Sequence, residues 1–165
     1  MEGASFSLIV KDVRNGETVF AYDTLRQLTP ASVMKTVTTA TALEILGEDY
    51  RFPTTLAYDG SIEKGLLKGN LYIKGSGDPS LGSAHFAPDH KRFLQEWISA
   101  LKKVGIHKIQ GAVIADESIF DTEGTSLKWV GEDMGSYYGA GSYGLCVFDN
   151  LHKLGLPTGA PGSRP

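Results

Sequence analysis

Apolar positions fall in three textures along this chain: short dense clusters over the first fifty residues, brief alternating runs over the next thirty, and then one stretch with helical spacing. Residues 5–13 contain Leu8, Ile9 and Val10, and residues 18–22 contain Val19, Phe20 and Tyr22. Between them Arg14-Asn15-Gly16-Glu17 carries an Asn-Gly pair, so the two runs predict a β-hairpin. Residues 23–29 link the hairpin to a long, nearly uncharged run. Thr29 suits a helix cap, Pro30 the first helical position and Gly47 the far end, which places Ser32 in the first helical turn. No charge falls between Lys35 and Glu44 on any face, so the expected helix is buried in a domain centre rather than lying on a surface.

Short strands dominate after Gly47: residues 52–58, an Asp59-Gly60 turn, then Leu66-Leu67 and residues 71–74 on either side of Lys68-Gly69-Asn70. This shift places a boundary near residues 48–53, giving units of 1–50 and 51–165. Residues 88–104 set Phe93, Leu94, Trp97, Ile98, Leu101 and Val104 on one side of an amphipathic helix that Gly105 stops. Residues 108–115 predict one further strand, ending in Asp116-Glu117-Ser118. The segment 129–150, with Tyr137-Tyr138-Gly139 and Tyr143-Gly144, predicts a loop or mobile edge, and residues 156–165 end without a cap or closing strand. The fold class expected is α+β.

Composition narrows the function without choosing it. At 165 residues and 41% hydrophobic content the chain is long enough to bury a core. A net charge of −3 without a long block of one sign gives no sign of a nucleic-acid groove, and no nucleic-acid partner is expected. Cys146 is alone, which rules out an internal disulfide, and its apolar neighbours Leu145 and Val147 make it a buried packing residue. His85, His90, His107 and His152 form no metal-binding pattern, so neither a metal nor a cofactor is expected. Residues 1–4 run straight into a strand and no apolar run is of spanning length, so neither a leader nor a membrane segment is expected in this stretch, and an exported protein would have lost its signal before it.

Ser-x-x-Lys is the pattern with chemistry in it. It occurs three times, as Ser32/Lys35, Ser61/Lys64 and Ser99/Lys102. The second lies in a turn-rich stretch and the third on the wet side of the amphipathic helix, so both read as surface residues. Ser32 and Lys35 differ in context. Three residues make nearly one helical turn, so both side chains rise from one face, at the start of an uncharged helix. A serine hydroxyl is a poor nucleophile until a neighbour takes its proton, and burial favours the neutral amine that can do so. Gly75-Ser76-Gly77-Asp78-Pro79-Ser80 looks at first like a phosphate loop, but Ser80 replaces the third glycine and no Gly-Lys-Ser/Thr follows, so it reads as a structural turn. Asp116 and Glu117 are adjacent on a strand and point to opposite faces, which excludes a glycosidase pair.

Pro30-Ala31-Ser32-Val33-Met34-Lys35, together with residues 67–81 (Leu67-Lys68-Gly69-Asn70 through Gly75-Ser76-Gly77-Asp78-Pro79-Ser80-Leu81), resembles the penicillin-binding D-alanyl-D-alanine carboxypeptidase/endopeptidase family, in its low-molecular-mass class C group. In that group a large insertion follows the active-serine helix. The resemblance implies a hairpin and serine helix of a β-lactamase/transpeptidase-like catalytic domain over 1–50, and part of a mixed α/β insertion domain over 51–165. It implies Ser32 as the nucleophile attacking a D-alanyl-D-alanine carbonyl, Lys35 as the proton acceptor, and peptidoglycan stem peptides and β-lactams as partners in the periplasm or cell envelope. Family sites are completed by an S-x-N motif and a K-T-G strand, and neither occurs here. The expectation is therefore a chain that stops inside the insertion and is inactive or very weak alone. The alternatives are a non-catalytic penicillin-binding module and a β-lactamase-like hydrolase.

Overall fold

The Asn-Gly turn closes as its sequence requires. Gly16 takes φ +75°, a left-handed conformation that glycine adopts without a steric penalty, and the Asp12 N–H donates to the Glu17 carbonyl at 2.8 Å. Strands β1 (Leu8–Lys11) and β2 (Thr18–Tyr22) pair antiparallel, with Leu8 opposite Tyr22 and Val10 opposite Phe20. The Phe6 and Tyr22 rings stack at 4.7 Å between centroids. The computed structural model describes residues 3–86, 89–152 and 155, and its contacts divide it into two units, Met1–Tyr50 and Arg51–Pro165.

Helix α1 (Met34–Leu46) closes the first unit and differs from its expectation twice. It begins later: Val33 is its first flanking residue, no side chain caps it, and Ser32 lies in the turn before it. The reason is a tight entry. Met34, Lys35 and Thr36 each donate their N–H to the carbonyl three residues back, at 3.0–3.1 Å, so the chain winds through 3₁₀ turns before the α-helix starts. Helix α1 is also exposed throughout, not buried. Apolar and hydroxyl side chains ring it on all sides, and a two-stranded hairpin has too little surface to cover such a cylinder.

The second unit is built from three chain segments that each form two strands. β3 (Thr55–Tyr58) and β4 (Ser61–Glu63) make the first, β5 (Leu66–Lys68) and β6 (Leu71–Lys74) the second, β7 (Lys108–Gln110) and β8 (Val113–Asp116) the third. Two three-stranded mixed sheets result, ordered β3-β6-β8 and β4-β5-β7, with the third segment parallel to the second in both. The single strand expected over 108–115 is thus two strands in different sheets. Gly111 marks the break: a Cβ there would run into the Gly69 carbonyl, and one on Gly69 would run into Asp59. Side-chain-free backbones pass closely at this level.

Asp59 ties the break together. Its carboxylate accepts from the Asn70 N–H at 2.6 Å, from Asn70 Nδ2 at 3.1 Å and from the Tyr72 hydroxyl at 2.8 Å. Asn70 Oδ1 accepts the Ala112 N–H at 2.9 Å, so all three segments are linked. These bonds to its charged form hold the Asp59 carboxyl below the ordinary 3.8, the Asn70 N–H contributing most.

Helix α2 (Arg92–Lys103) connects β6 to β7. Pro88, in the expected helix, lies outside the described residues. The end is a Schellman motif: Gly105 at φ +87° donates to Lys102 O at 3.0 Å and Ile106 to Leu101 O at 2.9 Å. Phe93, Trp97 and Leu101 are half-buried and Phe93 packs edge-on against Trp97 at 4.9 Å, whereas Leu94, Ile98 and Val104 stay exposed. The core is small. Leu67, Leu71 and Ile106 are the buried large apolar residues among those described. Ile62, Leu67 and Ile109 stand in one row across the second sheet, and Ile98, Leu101 and Ile106 of α2 and its cap line a depression with Ile109. The segment 129–150 is not simply a loop: it forms short 3₁₀ turns at Gly131–Asp133 and Tyr137–Gly139 and a left-handed turn over Phe148–Asn150, where all three residues have positive φ. The ending expected over residues 156–165 lies outside the described residues.

Candidate active site

The chain reaches Ser32 through a linker held at its start. Asp23 turns the backbone at φ +47°, and the Arg26 N–H donates to its carbonyl at 3.1 Å. The Arg26 guanidinium also donates to Asp23 Oδ2 at 3.1 Å and to Ser5 Oγ at 2.8 Å, tying the linker to the segment before β1. Nothing in the sequence pattern singled out Arg26, because its partner Ser5 is 21 residues away.

After Ala31 the 3₁₀ entry determines the geometry. In such a turn residues three apart eclipse one another, more closely than in an α-helix. Lys35 Nζ donates to Ser32 Oγ at 3.1 Å. The two groups that sequence spacing placed on one face therefore touch, though through the tight turn rather than through the α-helix itself. Both are solvent-exposed, and among the described residues no carboxylate pairs with Lys35. A hydroxyl and an amine in hydrogen-bond contact can pass a proton, which is the first requirement of a nucleophilic serine. The desolvation expected of this site is not met by the residues around it.

Elsewhere the candidates separate. Ser61 lies on β4 rather than in a turn, Ser99 on α2, both exposed, and neither bonds to its lysine. Gly75-Ser80 is a structural turn: the Gly77 N–H donates to Gly144 O at 2.7 Å, and Asp78 Oδ1 accepts both the Ser80 N–H at 2.8 Å and its hydroxyl at 2.6 Å. Asp116 accepts the Ser118 N–H at 3.0 Å and its carboxyl is held below the ordinary value chiefly by Ser118. Cys146 is half-buried rather than buried; its thiol donates to Tyr143 O at 3.3 Å and accepts from Asn150 Nδ2 at 3.2 Å. Among the described residues no three of His, Cys, Asp and Glu gather as metal ligands, and no helix is long and apolar enough to cross a membrane.

Residues 1–165 match the family described as D-Ala-D-Ala carboxypeptidase 3 (S13). The chain is 30% identical over 133 residues to a D-alanyl-D-alanine carboxypeptidase DacB of Haemophilus influenzae, covering 81% of this chain and 26% of that protein. It is 33% identical over 147 residues to a D-alanyl-D-alanine carboxypeptidase of Actinomadura sp., covering 89% of this chain and again 26% of the relative. The crystal structure of penicillin-binding protein 4 from H. influenzae superposes with a TM-score of 0.73 at 29% identity, over 86% of this chain and 30% of that one. A structure of the same protein in complex with a novel β-lactam matches with a TM-score of 0.59 at 32% identity, over 70% of this chain and 25% of that one. The chain thus spans about a quarter of the length of the relatives it matches.

Proposed function

Because the chain belongs to the D-Ala-D-Ala carboxypeptidase 3 (S13) family, we propose that it carries the acylating serine of a serine-type peptidase of peptidoglycan, with Ser32 as nucleophile and Lys35 as its proton acceptor. The observation that carries this reading is the Lys35 Nζ to Ser32 Oγ contact of 3.1 Å. Ser32 Oγ attacks the carbonyl carbon of the terminal D-alanyl-D-alanine peptide bond while its proton passes to the neutral Lys35 amine. Collapse of the tetrahedral intermediate breaks the C–N bond, the leaving D-alanine takes a proton, and water later releases the acyl group from Ser32. A β-lactam carbonyl acylates the same oxygen by ring opening. The Ser32 backbone N–H would be one donor to the oxyanion.

Residues 1–50 are the nucleophile-bearing part of the catalytic domain on this reading, and residues 51–165 part of its insertion. The exposure of Ser32 and Lys35 supports a division of labour: S-x-N and K-T-G elements, absent from this chain, complete and dry the site in a longer protein. Without those elements Ser32 of the isolated chain is acylated poorly, and the non-catalytic reading holds for it alone. The place of work is the cell envelope, where peptidoglycan is. The test is D-alanine release from a stem pentapeptide by the protein extended to the length of its relatives. Release that Ser32→Ala abolishes supports the assignment; undiminished release by Ser32→Ala overturns it.

A further inference from the structure

Charge is sorted within the second unit. From Asp116 to Asp149 the sequence carries seven carboxylates against Lys128 alone, whereas Lys64, Lys68 and Lys108 fall on or beside β4, β5 and β7. Register defines where. Glu63, Leu66 and Lys108 stand in one row across β4-β5-β7, and Ser61, Lys68 and Gln110 in the next row of the same face. The apolar row between them, Ile62, Leu67 and Ile109, points the other way, and Leu67 there is fully buried. The outer face is therefore polar and open, and Glu63, Lys64, Leu66, Lys68 and Lys108 border a shallow concavity of about 650 Å³ on it.

Only part of this charge is answered. Lys68 pairs with Glu63 at 2.6 Å, while Lys64 and Lys108 have no ion-pair partner among the described residues. Lys108 also stands at the rim of the largely apolar depression beneath α2, beside Lys102 in the last turn of that helix. Lys102 and Lys103 are accounted for by the negative end of that helix. No such partner explains Lys64 and Lys108.

We propose that the outer face of β4-β5-β7 is a docking surface for a polymer bearing repeated carboxylates, the stem peptides of peptidoglycan, separate from Ser32. This rests on the peptidase reading, which makes peptidoglycan the polymer this chain works beside. An exposed lysine–carboxylate contact contributes little by itself, so a single small acid gains almost nothing here. A polymer that meets Lys64, Lys68 and Lys108 together gains from multivalency, and it would exchange its carboxylates for that of Glu63. Such binding is weakened by salt, because every group on this face is in water.

The experiment is co-sedimentation of the 165-residue chain with purified peptidoglycan sacculi at low and high salt, with phosphatidylglycerol vesicles as a second arm. The expected result is binding to sacculi that high salt suppresses and that K64E/K68E/K108E weakens by about tenfold or more, with K64Q/K68Q/K108Q intermediate. Circular dichroism of both variants checks their fold. Equal binding by the charge-reversed variant, salt-insensitive binding or no binding overturns the proposal, and tighter binding to vesicles than to sacculi assigns the face to lipid phosphate instead. Ser32→Ala is run alongside. Loss of acylation in a longer protein with sacculus binding intact, or the reverse, tells failure of the site from failure of the face.

Discussion

Lys35 Nζ and Ser32 Oγ are 3.1 Å apart because the chain enters helix α1 through 3₁₀ turns, which stack residues three apart. The same hydrogen bond can be made by an amine that keeps its proton, so contact alone does not separate a structural lysine from a base. Lys35→Arg does. A guanidinium can reach the hydroxyl but cannot give up its proton near neutral pH. In the protein extended to the length of its relatives, Lys35→Arg is expected to slow acylation by benzylpenicillin by about a hundredfold or more. A rate within a few-fold of the parent would show that Lys35 only positions the serine.

Asp59 should make the second unit sensitive to acid. Its carboxyl is depressed in the folded state, so the stability it contributes is present above the ordinary value of 3.8 and is lost as pH falls through the lower, folded value. Asp59→Asn cannot accept all three bonds, and its unfolding midpoint should fall less steeply than the parent's as pH drops below about 4. Asp12 and Asp116 are depressed as well, by Arg14 and Ser118 first, so some acid sensitivity remains. Parallel pH profiles for parent and variant would remove Asp59 from the account.

Gly111 is where two backbones meet. Gly111→Ala places a methyl against the Gly69 carbonyl, which cannot swing aside, and should cost about 1–3 kcal/mol in urea unfolding. Gly131→Ala is the control, since nothing lies within 4 Å of a Cβ there, and its effect should stay within about 0.5 kcal/mol. Equal effects at the two glycines would mean that the strand break does not depend on close approach.

The first unit leaves apolar surface open, with Val37 58% and Ile45 74% exposed on α1 and Val19 70% exposed on β2. Surfaces of this kind associate, and both edges of a two-stranded sheet invite pairing. Light scattering of the isolated chain should show concentration-dependent association. A monomer with one sharp, concentration-independent unfolding transition would contradict this.

Sequence reading found the features whose causes are local. Asn15-Gly16 gave the hairpin, the Phe93/Trp97/Leu101 spacing with Gly105 gave α2 and its end, and Ser-x-x-Lys gave the contact of Ser32 with Lys35. What it missed depends on distant partners. Residues 108–115 alternate like one strand, and only the approach of Gly69 to Gly111 divides them. The Asp59–Asn70–Ala112 bonds and the Arg26–Ser5 tie join residues far apart in the chain. The charge-free run of α1 predicts burial, yet the helix is exposed, because lack of charge makes a helix able to be buried without supplying what buries it.

Whether Ser32 is the acylation site is decided by the intact mass after incubation with benzylpenicillin of the protein extended to the length of its relatives, beside its Ser32→Ala variant and the 165-residue chain. One stable adduct is expected on the extended protein, none on the variant and little or none on the 165-residue chain. An adduct that survives Ser32→Ala would contradict the assignment of the nucleophile, and a stable Ser32 adduct on the short chain would contradict the need for the remaining motifs.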